Sequence, residues 1–161
     1  MTCTRGAAVT AFFACAALTS GSALAQAGTS AGPGQGKQVI TTPGGPPGLP
    51  FSPAVRVGNM LYLAGQIGSL PGTRVVVPGG IGPETRQTLE NIKRVLESAG
   101  SSMDRAVKCT VFLLDINDYA AMNQIYATYF PKDPPARSTV AGSGLALGAR
   151  VEIECMATVG T

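Results

Sequence analysis

Two charged side chains in the last quarter of the chain are of types that can bind a small carboxylic acid and take part in chemistry. Arg137 stands among small residues in the stretch Pro-Ala-Arg-Ser-Thr, and Glu152 stands in a later apolar stretch. A guanidinium with small neighbours can hold a carboxylate through two parallel hydrogen bonds. Glu152 places a carboxylate inside an apolar predicted strand. The sequence contains no histidine, so these two residues are the candidates for chemistry and a His-based triad is excluded.

The last predicted strand, residues 149–159, places two carboxylates on one face. Glu152 and Glu154 alternate with apolar residues, and this is the period of a half-buried strand. A simpler interpretation stays open at this point. Both glutamates could be solvated charges, and Arg137 could pair with one of them in a surface ion pair worth about 0 to 1 kcal/mol.

The elements that must position these residues are typical of an α+β fold. Alternating apolar residues predict strands at 38–41, 54–57, 60–64, 107–114 and 149–159, with a possible edge strand at 74–77. We expect a mainly antiparallel sheet with two helices packed on one face. The other face carries more Val, Ile and Leu than a two-layer monomer can hide, which favours self-association through that face.

Two stretches have the three-four spacing of helices that bury one side. The first helix is predicted to begin near Pro83 and to end before Gly100, and the second to follow the capping residues 115–118. The apolar stripe of the second helix is assigned to the core without a function: Tyr119, Met122, Ile125, Tyr126 and Tyr129. Asn123 lies between these positions and is a candidate to reach a pocket.

Short motifs in the same order from about Gln38 to Gly160 resemble the RidA family, also called YjgF, of small trimeric imine and enamine deaminases. They are Gly58 to Met60, Ala64 to Ile67, Thr85 to Asn91, Thr110 to Leu113, Asn117 to Tyr119, Pro135 to Ser138 and Val151 to Glu154. The resemblance implies that Arg137 grips the substrate carboxylate and that Glu152 places the hydrolytic water. It also implies a RidA-like, chorismate-mutase-like fold, and a homotrimer with a barrel-like centre and three pockets between subunits.

Three positions depart from the pattern of the family. Thr139 stands where a cysteine is frequent, Phe51 where a tyrosine is usual, and Ala64 where a serine is usual. Gly65 and Asn123 complete the set of predicted substrate-binding residues. Because two hydroxyl groups are missing, the predicted pocket is less polar than the family norm, and this favours bulkier or more apolar imino acids.

The first 25 residues have the pattern of a cleaved secretory signal peptide. Arg5 precedes an apolar run from Ala7 to Leu18, and small residues follow. A spanning helix needs about 20 apolar residues, although a retained anchor stays open as an alternative. We expect residues 1–25 to be removed, residues 26–36 to form a flexible leader, and residues 37–161 to form one RidA-like domain. The mature protein would be periplasmic or secreted, without membrane attachment.

Charge and cysteine content exclude several classes of function. Removal of Arg5 from the 12 Lys and Arg residues leaves 11 basic against 9 acidic residues, a net charge of +2. This small, scattered charge does not indicate a nucleic-acid partner, and it fits poorly with the ribonuclease activity reported for some relatives. Cys109 and Cys155 remain, and we expect two buried thiols unless their strands are neighbours. Without histidine or a CxxC motif, no metal site is predicted.

The predicted reaction is hydrolysis of a small 2-imino acid, such as 2-iminopropionate or 2-iminobutanoate, or of an enamine such as 2-aminoacrylate. The products would be a 2-keto acid and ammonia. Imines already hydrolyse in water, so positioning by Arg137 and one proton shuttle at Glu152 would be sufficient without a cofactor. An alternative of another class stays open, namely a non-catalytic carboxylate-binding or chaperone-like trimer in the periplasm.

Overall fold

A computed structural model of the chain describes residues 2, 36–43, 45 and 47–160. Apart from Thr2 and Gly36, the predicted signal peptide and leader lie outside the described residues. The strands are β1 Gln38–Ile40, β2 Ala54–Val57, β3 Met60–Leu63, β4 Gln66–Ile67, β5 Ala106–Leu113, β6 Ala136–Ala141 and β7 Val151–Thr158; the helices are α1 Ile81–Ser98 and α2 Tyr119–Tyr129. No helix in this part of the chain is long and apolar enough to cross a membrane.

The seven strands of the described part form one sheet in the order β1-β2-β3-β7-β5-β6, and β4 pairs with β7 beside β3. Every pairing is antiparallel except that of β5 with β6, which is parallel. The predicted α+β class with a mainly antiparallel sheet is therefore confirmed. Strand β7 is central, because it pairs with β3 and β4 on one side and with β5 on the other.

Alternation along β7 separates a buried face from a more exposed one. Ile153 and Ala157 are completely buried, whereas Met156 on the other face is 40% exposed. Side chains from both helices pack on the buried face, and the largest contributors are Leu89, Ile92, Val95, Leu96, Met122 and Tyr126. Burial of each large apolar side chain contributes about 1.5–3 kcal/mol. Both helices thus cover one face of the sheet, as expected.

The opposite face of the sheet is not covered by any other element of the described part of the chain. Tyr62 and Met156 are cross-strand neighbours on this face and are 44% and 40% exposed. Val140, at the β6 edge of the same face, is 49% exposed. A contiguous apolar face of this kind is typical of an interaction surface.

Strand β6 was not predicted. Its sequence is small and polar and its burial is low, because it pairs on one side only, with β5. A strand at such an edge need not alternate apolar and polar residues, so the periodicity that identifies β7 is missing. The prediction of an edge strand at 74–77 was wrong, because that segment makes only an isolated bridge, between Ser69 and Val76.

The expectation of two free thiols was also wrong. Cys109 and Cys155 form a disulfide, with their Cα atoms 4.1 Å apart. They are direct cross-strand partners in β5 and β7 and are 0% and 2% exposed. The sequence placed each cysteine in a strand but did not identify those strands as neighbours, which is the condition that a bond requires.

Candidate active site

Strand β6 and helix α2 position the arginine that sequence reasoning singled out. Arg137 pairs in register with Cys109 of β5, so its side chain lies on the face of the sheet that the helices cover. Its guanidinium carbon is 4.6 Å from the ring centroid of Tyr126 and 5.6 Å from that of Tyr119. One guanidinium nitrogen donates a hydrogen bond to the Tyr119 hydroxyl at 3.2 Å. Two aromatic rings thus hold the cation, with cation–π attraction of about 0.5–2 kcal/mol.

Polar atoms of α2 and β6 lack partners close to this arginine. The Asn123 carbonyl oxygen, the Tyr126 hydroxyl and the Thr139 hydroxyl are all buried and make no hydrogen bond within the described structure. Such atoms cost about 1–3 kcal/mol each when they stay unsatisfied. Several of them beside a guanidinium therefore indicate a place where a polar ligand or water completes the hydrogen bonds.

Electrostatics distinguish the two tyrosines. A hydrogen bond from the Asn123 side chain, followed by the hydrogen bond and charge of Arg137, lowers the pKa of the Tyr119 hydroxyl. Burial raises the pKa of Tyr126 to about 12, against the opposing effect of the Arg137 charge. The Tyr126 hydroxyl is therefore neutral at pH 7 and can donate to an anion.

The glutamate lies on the other face of the sheet. Glu152 pairs in register with Phe112 of β5 and with Ile67 of β4, in the middle of the sheet. Burial, and then the neighbouring charge of Glu154, raise the pKa of Glu152. A carboxyl group with a raised pKa exchanges protons closer to neutral pH and is suited to general acid/base chemistry.

Gly65 gives this carboxylate its space. A methyl group on Gly65 would collide with the Glu152 carboxylate, with its Cδ at 2.8 Å and its Cγ at 3.0 Å. Ala64, just before it, donates its backbone N–H to Pro53 at 3.0 Å and accepts a hydrogen bond from Gln66 at 3.1 Å. The bond to Pro53 ties the loop that carries Phe51 to the end of β3.

Glu152 opens onto a cleft of about 610 Å³. The side chains that line it are mostly apolar: Leu49, Pro50, Phe51, Pro53, Ile67, Leu70, Pro71, Val95, Ala146 and Leu147. Phe51 is 54% exposed, so it contacts the cleft without filling it. The volume lies within the roughly 300–1,000 Å³ of sites that bind small organic molecules.

One chain does not bring the two charged residues together. Arg137 and Glu152 occupy opposite faces of the sheet, separated by β5. The simple interpretation, in which Arg137 pairs with Glu152 or Glu154, was wrong. The ion pair found among the described residues joins Arg150 to Asp118 at 2.7 Å. The structure therefore contains two half-sites, an Arg137 half on β6 and α2 and a Glu152 half on β7 and the β3–β4 loop.

The predicted substrate-binding residues divide between the halves. Phe51, Ala64 and Gly65 lie with Glu152, whereas Asn123 and Thr139 lie with Arg137. Sequence reasoning assigned Tyr119 and Tyr126 to the core without a function. The core assignment is confirmed for Tyr126, which is 6% exposed, and was wrong for Tyr119, which is 41% exposed; the contacts of both rings with Arg137 were missed. Their positions at i−4 and i+3 from Asn123 put all three on one side of the helix, and this spacing was the available signal.

Sequence reasoning also missed buried polar groups that support the Glu152 half. Glu84 of α1 is 5% exposed and accepts the backbone N–H of Arg150 at 2.7 Å, just before β7 begins. Asn91 of α1 donates to the carbonyls of Ile67 and Ser69 at 3.0 and 2.9 Å. Both contacts anchor the cleft to the first helix. Within the described ranges, no cluster of three or more His, Cys, Asp or Glu side chains could hold a metal ion.

Comparisons with known proteins match the sequence and the fold of this chain to one family. The model of the endoribonuclease L-PSP family matches residues 45–159. A RutC family protein of Pyrococcus horikoshii is 47% identical over 122 residues, which cover 75% of this chain and 97% of that protein. The 2-iminobutanoate/2-iminopropanoate deaminase of Mus musculus is 41% identical over 125 residues, which cover 77% and 93%. The crystal structure of a Rid-family protein of Yersinia pestis superposes with a TM-score of 0.73 at 44% identity, covering 77% of this chain and all of that one.

Proposed function

We propose that this chain, which belongs to the endoribonuclease L-PSP family, also called the YjgF or RidA family, hydrolyses small 2-imino acids to 2-keto acids and ammonia. The observation that carries the proposal is the pair of half-sites. One presents a guanidinium with unpaired polar atoms beside it, and the other presents a carboxylate with a raised pKa in an apolar cleft. Relatives named as imine deaminases, at about 41% identity, support the same reaction.

In the proposed mechanism, Arg137 holds the substrate carboxylate through two charge-assisted hydrogen bonds. Ionised Glu152 takes a proton from a water molecule as the water oxygen bonds to the imine carbon, and the C=N electron pair moves to nitrogen, which receives that proton from Glu152. In the resulting carbinolamine, Glu152, again ionised, takes the hydroxyl proton and passes it to nitrogen, so the C–N bond breaks as the second bond of the carbonyl forms and ammonia leaves. Water is the sole co-reactant, and Glu152 ends each cycle ionised.

This mechanism requires two copies of the chain, because Arg137 and Glu152 lie on opposite faces of one sheet. We propose a homotrimer in which each site takes the Arg137 half from one subunit and the Glu152 half from its neighbour. The exposed apolar face that includes Tyr62 and Met156 supports self-association. The trimer itself follows from the family resemblance.

The first experiment measures release of pyruvate and ammonia from 2-iminopropionate, generated in place by an amino-acid oxidase. Residues 26–161 are compared with Arg137→Ala and Glu152→Ala, both of which should lose the rate acceleration when the 2-iminopropionate concentration is below the wild-type KM. Glu97→Ala and Arg86→Ala are matched controls, since both residues are exposed charged residues of helix α1. Carboxylate binding by a folded wild type that gives no turnover would instead support the non-catalytic binding protein.

A complementation experiment tests the shared site. If each site combines residues of two subunits, trimers reassembled from equal amounts of Arg137→Ala and Glu152→Ala chains regain intact sites. Random assembly makes about one quarter of the sites intact. The subunit that supplies Arg137 and the neighbour that supplies Glu152 must each be the correct chain, and the chance is about one half for each. Recovery near a quarter of the wild-type rate supports the proposal, whereas no recovery in confirmed mixed trimers contradicts it.

We also propose that the protein is exported, with residues 1–25 as its signal peptide. The disulfide between Cys109 and Cys155 supports this, because disulfides persist in oxidising compartments. We expect the measured mass of the purified protein to be that of a chain whose first residue is Gln26. We also expect the protein to be recovered from a periplasmic or extracellular fraction. Recovery of the full-length chain from the cytoplasm would contradict it.

A further inference from the structure

The cleft beside Glu152 is larger and more apolar than a three-carbon imino acid needs. Pyruvate-sized substrates would occupy a small part of its 610 Å³. Three large apolar side chains that line it remain substantially exposed: Phe51 at 54%, Leu70 at 43% and Leu147 at 56%. Exposed apolar side chains that converge on one concave surface indicate a binding site rather than a packing accident.

Leu147 also has an unusual backbone. It lies in a short turn, Ala146–Gly148, with φ 57° and ψ 20°, in the left-handed region where glycine and asparagine are normally found. A leucine in that conformation costs of order 1 kcal/mol. Because its side chain lines the cleft and is not buried in the core, local packing does not repay the cost. Residues with backbone strain of this kind cluster at active sites, ligand-contacting segments and switch regions.

These three residues come from separate loops and surround the same space. Phe51 precedes β2, Leu70 follows β4 and Leu147 precedes β7. The cleft that they line is continuous with Gly65 and Glu152. A substrate whose reacting carbon lies at Glu152 can therefore place its side chain against them. Two arginines, Arg74 and Arg94, also line the cleft, so an acidic side chain is the competing possibility.

We propose that Phe51, Leu70 and Leu147 form a side-chain subsite that selects 2-imino acids with bulky apolar side chains. This inference rests on the proposed function. In an apolar pocket, a single methylene group changes specificity by about 10- to 200-fold. The kcat/KM for the imine of leucine or phenylalanine should therefore exceed that for the imine of alanine by at least about tenfold.

The test uses Leu147→Asn, because asparagine tolerates the left-handed conformation and removes the apolar contact. Its matched control is Ile116→Asn, since Ile116 is an aliphatic residue that is 55% exposed and lies outside the cleft. The measured quantity is the ratio of kcat/KM for the leucine-derived imine to that for the alanine-derived imine. Leu147→Asn should lower this ratio about tenfold, and Ile116→Asn should retain the wild-type ratio.

Binding provides a second readout that does not depend on turnover. Calorimetry with 4-methyl-2-oxopentanoate and pyruvate should show tighter binding of the branched acid by the wild type, and Leu147→Asn should narrow the difference. A wild type with no preference for the branched ligand, or a preference for the glutamate-derived imine, would overturn the subsite. A preference in binding without hydrolysis of any imine would support the subsite and contradict the proposed function.

Discussion

The Arg137 half and the Glu152 half of the candidate site are built in different ways. Arg137 lies on an edge strand whose partner is parallel, and aromatic rings and unpaired polar atoms surround it. Glu152 lies on the central strand, hydrogen-bonded on both sides, and faces an apolar cleft. The first half is suited to hold a fixed anion, and the second to hold a reacting carbon and an apolar side chain.

This difference separates binding from chemistry. Changes in the Arg137 half should act mainly on KM, because a carboxylate is bound equally in the ground state and the transition state. Changes at Glu152 should act mainly on kcat, because proton transfer occurs only in the transition state. Variants of the two halves therefore test that separation.

Replacement of the carboxylate should have the largest effect. Glu152→Gln keeps the size of the side chain and removes its base, so kcat should fall about 10²- to 10⁴-fold with little change in KM. Steady-state kinetics with 2-iminopropionate measures both parameters, with Glu97→Gln, an exposed glutamate of helix α1, as the control. A rise in KM with an unchanged kcat would show that Glu152 binds substrate and does not transfer protons.

The pH profile sharpens this prediction. Because burial raises the pKa of Glu152, wild-type kcat/KM should rise with pH through a pKa above that of an unperturbed glutamate, and Glu152→Gln should lack this limb. The contribution of Glu152 to the free energy of unfolding should change in the opposite sense and fall as pH rises. The protonated form is favoured more in the folded state, so its stabilisation is present below the unfolded-state pKa and is lost as pH rises through the folded-state pKa. Urea unfolding of the wild type and of Glu152→Gln, across the pH range in which Glu152 titrates, measures this change in the free energy of unfolding.

Gly65→Ala should have the second largest effect. The added methyl group would occupy space that the Glu152 carboxylate uses, so that side chain must move. A displacement of about 1 Å at a catalytic group can lower the rate about 10²-fold. We expect a fall in kcat of about 10- to 100-fold with a small change in unfolding free energy. Gly142→Ala is the control, because a methyl group there meets no neighbour; equal kinetics for the two variants would contradict the prediction.

The aromatic contacts of the Arg137 half should have a smaller effect. Tyr126→Leu removes the ring 4.6 Å from the guanidinium, and loss of about 1 kcal/mol of cation–π attraction should raise KM about fivefold while kcat stays within twofold. Tyr126→Phe keeps the ring and should remain close to wild type in KM. If Tyr126→Phe raises KM as much as Tyr126→Leu does, the hydroxyl group and not the ring holds the arginine.

Sequence reasoning recovered the Glu152 half better than the Arg137 half. The alternation of β7 fixed the face of Glu152, because a strand paired on both sides must be apolar on its buried face. Strand β6 gave no such signal, since Ala136–Ala141 is an edge strand of small and polar residues. Arg137 was therefore identified by its neighbours in sequence, without a face or an element.

The separation of the two residues could not be predicted from one chain. Which face Arg137 occupies depends on its register with β5, where it lies beside Cys109. Register between strands distant in sequence is set by tertiary packing and not by local pattern. Because the strand neighbours were unknown, the expectation for the cysteines was wrong, and the contacts of Tyr119 and Tyr126 with Arg137 were missed.

The smallest effect on activity should come from the disulfide, although it lies between the two halves. Cys109 and Cys155 join β5 to β7 on the helix-covered face, so the bond fixes the strand between Arg137 and Glu152. Its sequence separation of 46 residues implies about 2–4 kcal/mol of stabilisation through the unfolded state. The double variant Cys109→Ala, Cys155→Ala should therefore unfold at lower urea concentration than the oxidised wild type.

Kinetic measurements on the folded double variant distinguish an effect of the disulfide on the active site from its effect on stability. The strands are also paired by backbone hydrogen bonds and packed in the core, so the folded double variant should keep kcat and KM within about twofold at 25 °C. Reduced wild type is the matched control, because it retains both sulfur atoms without the bond. A large rise in KM in both proteins, with normal kcat, would mean that the disulfide positions Arg137 across the strand pair and that the two halves are coupled through it.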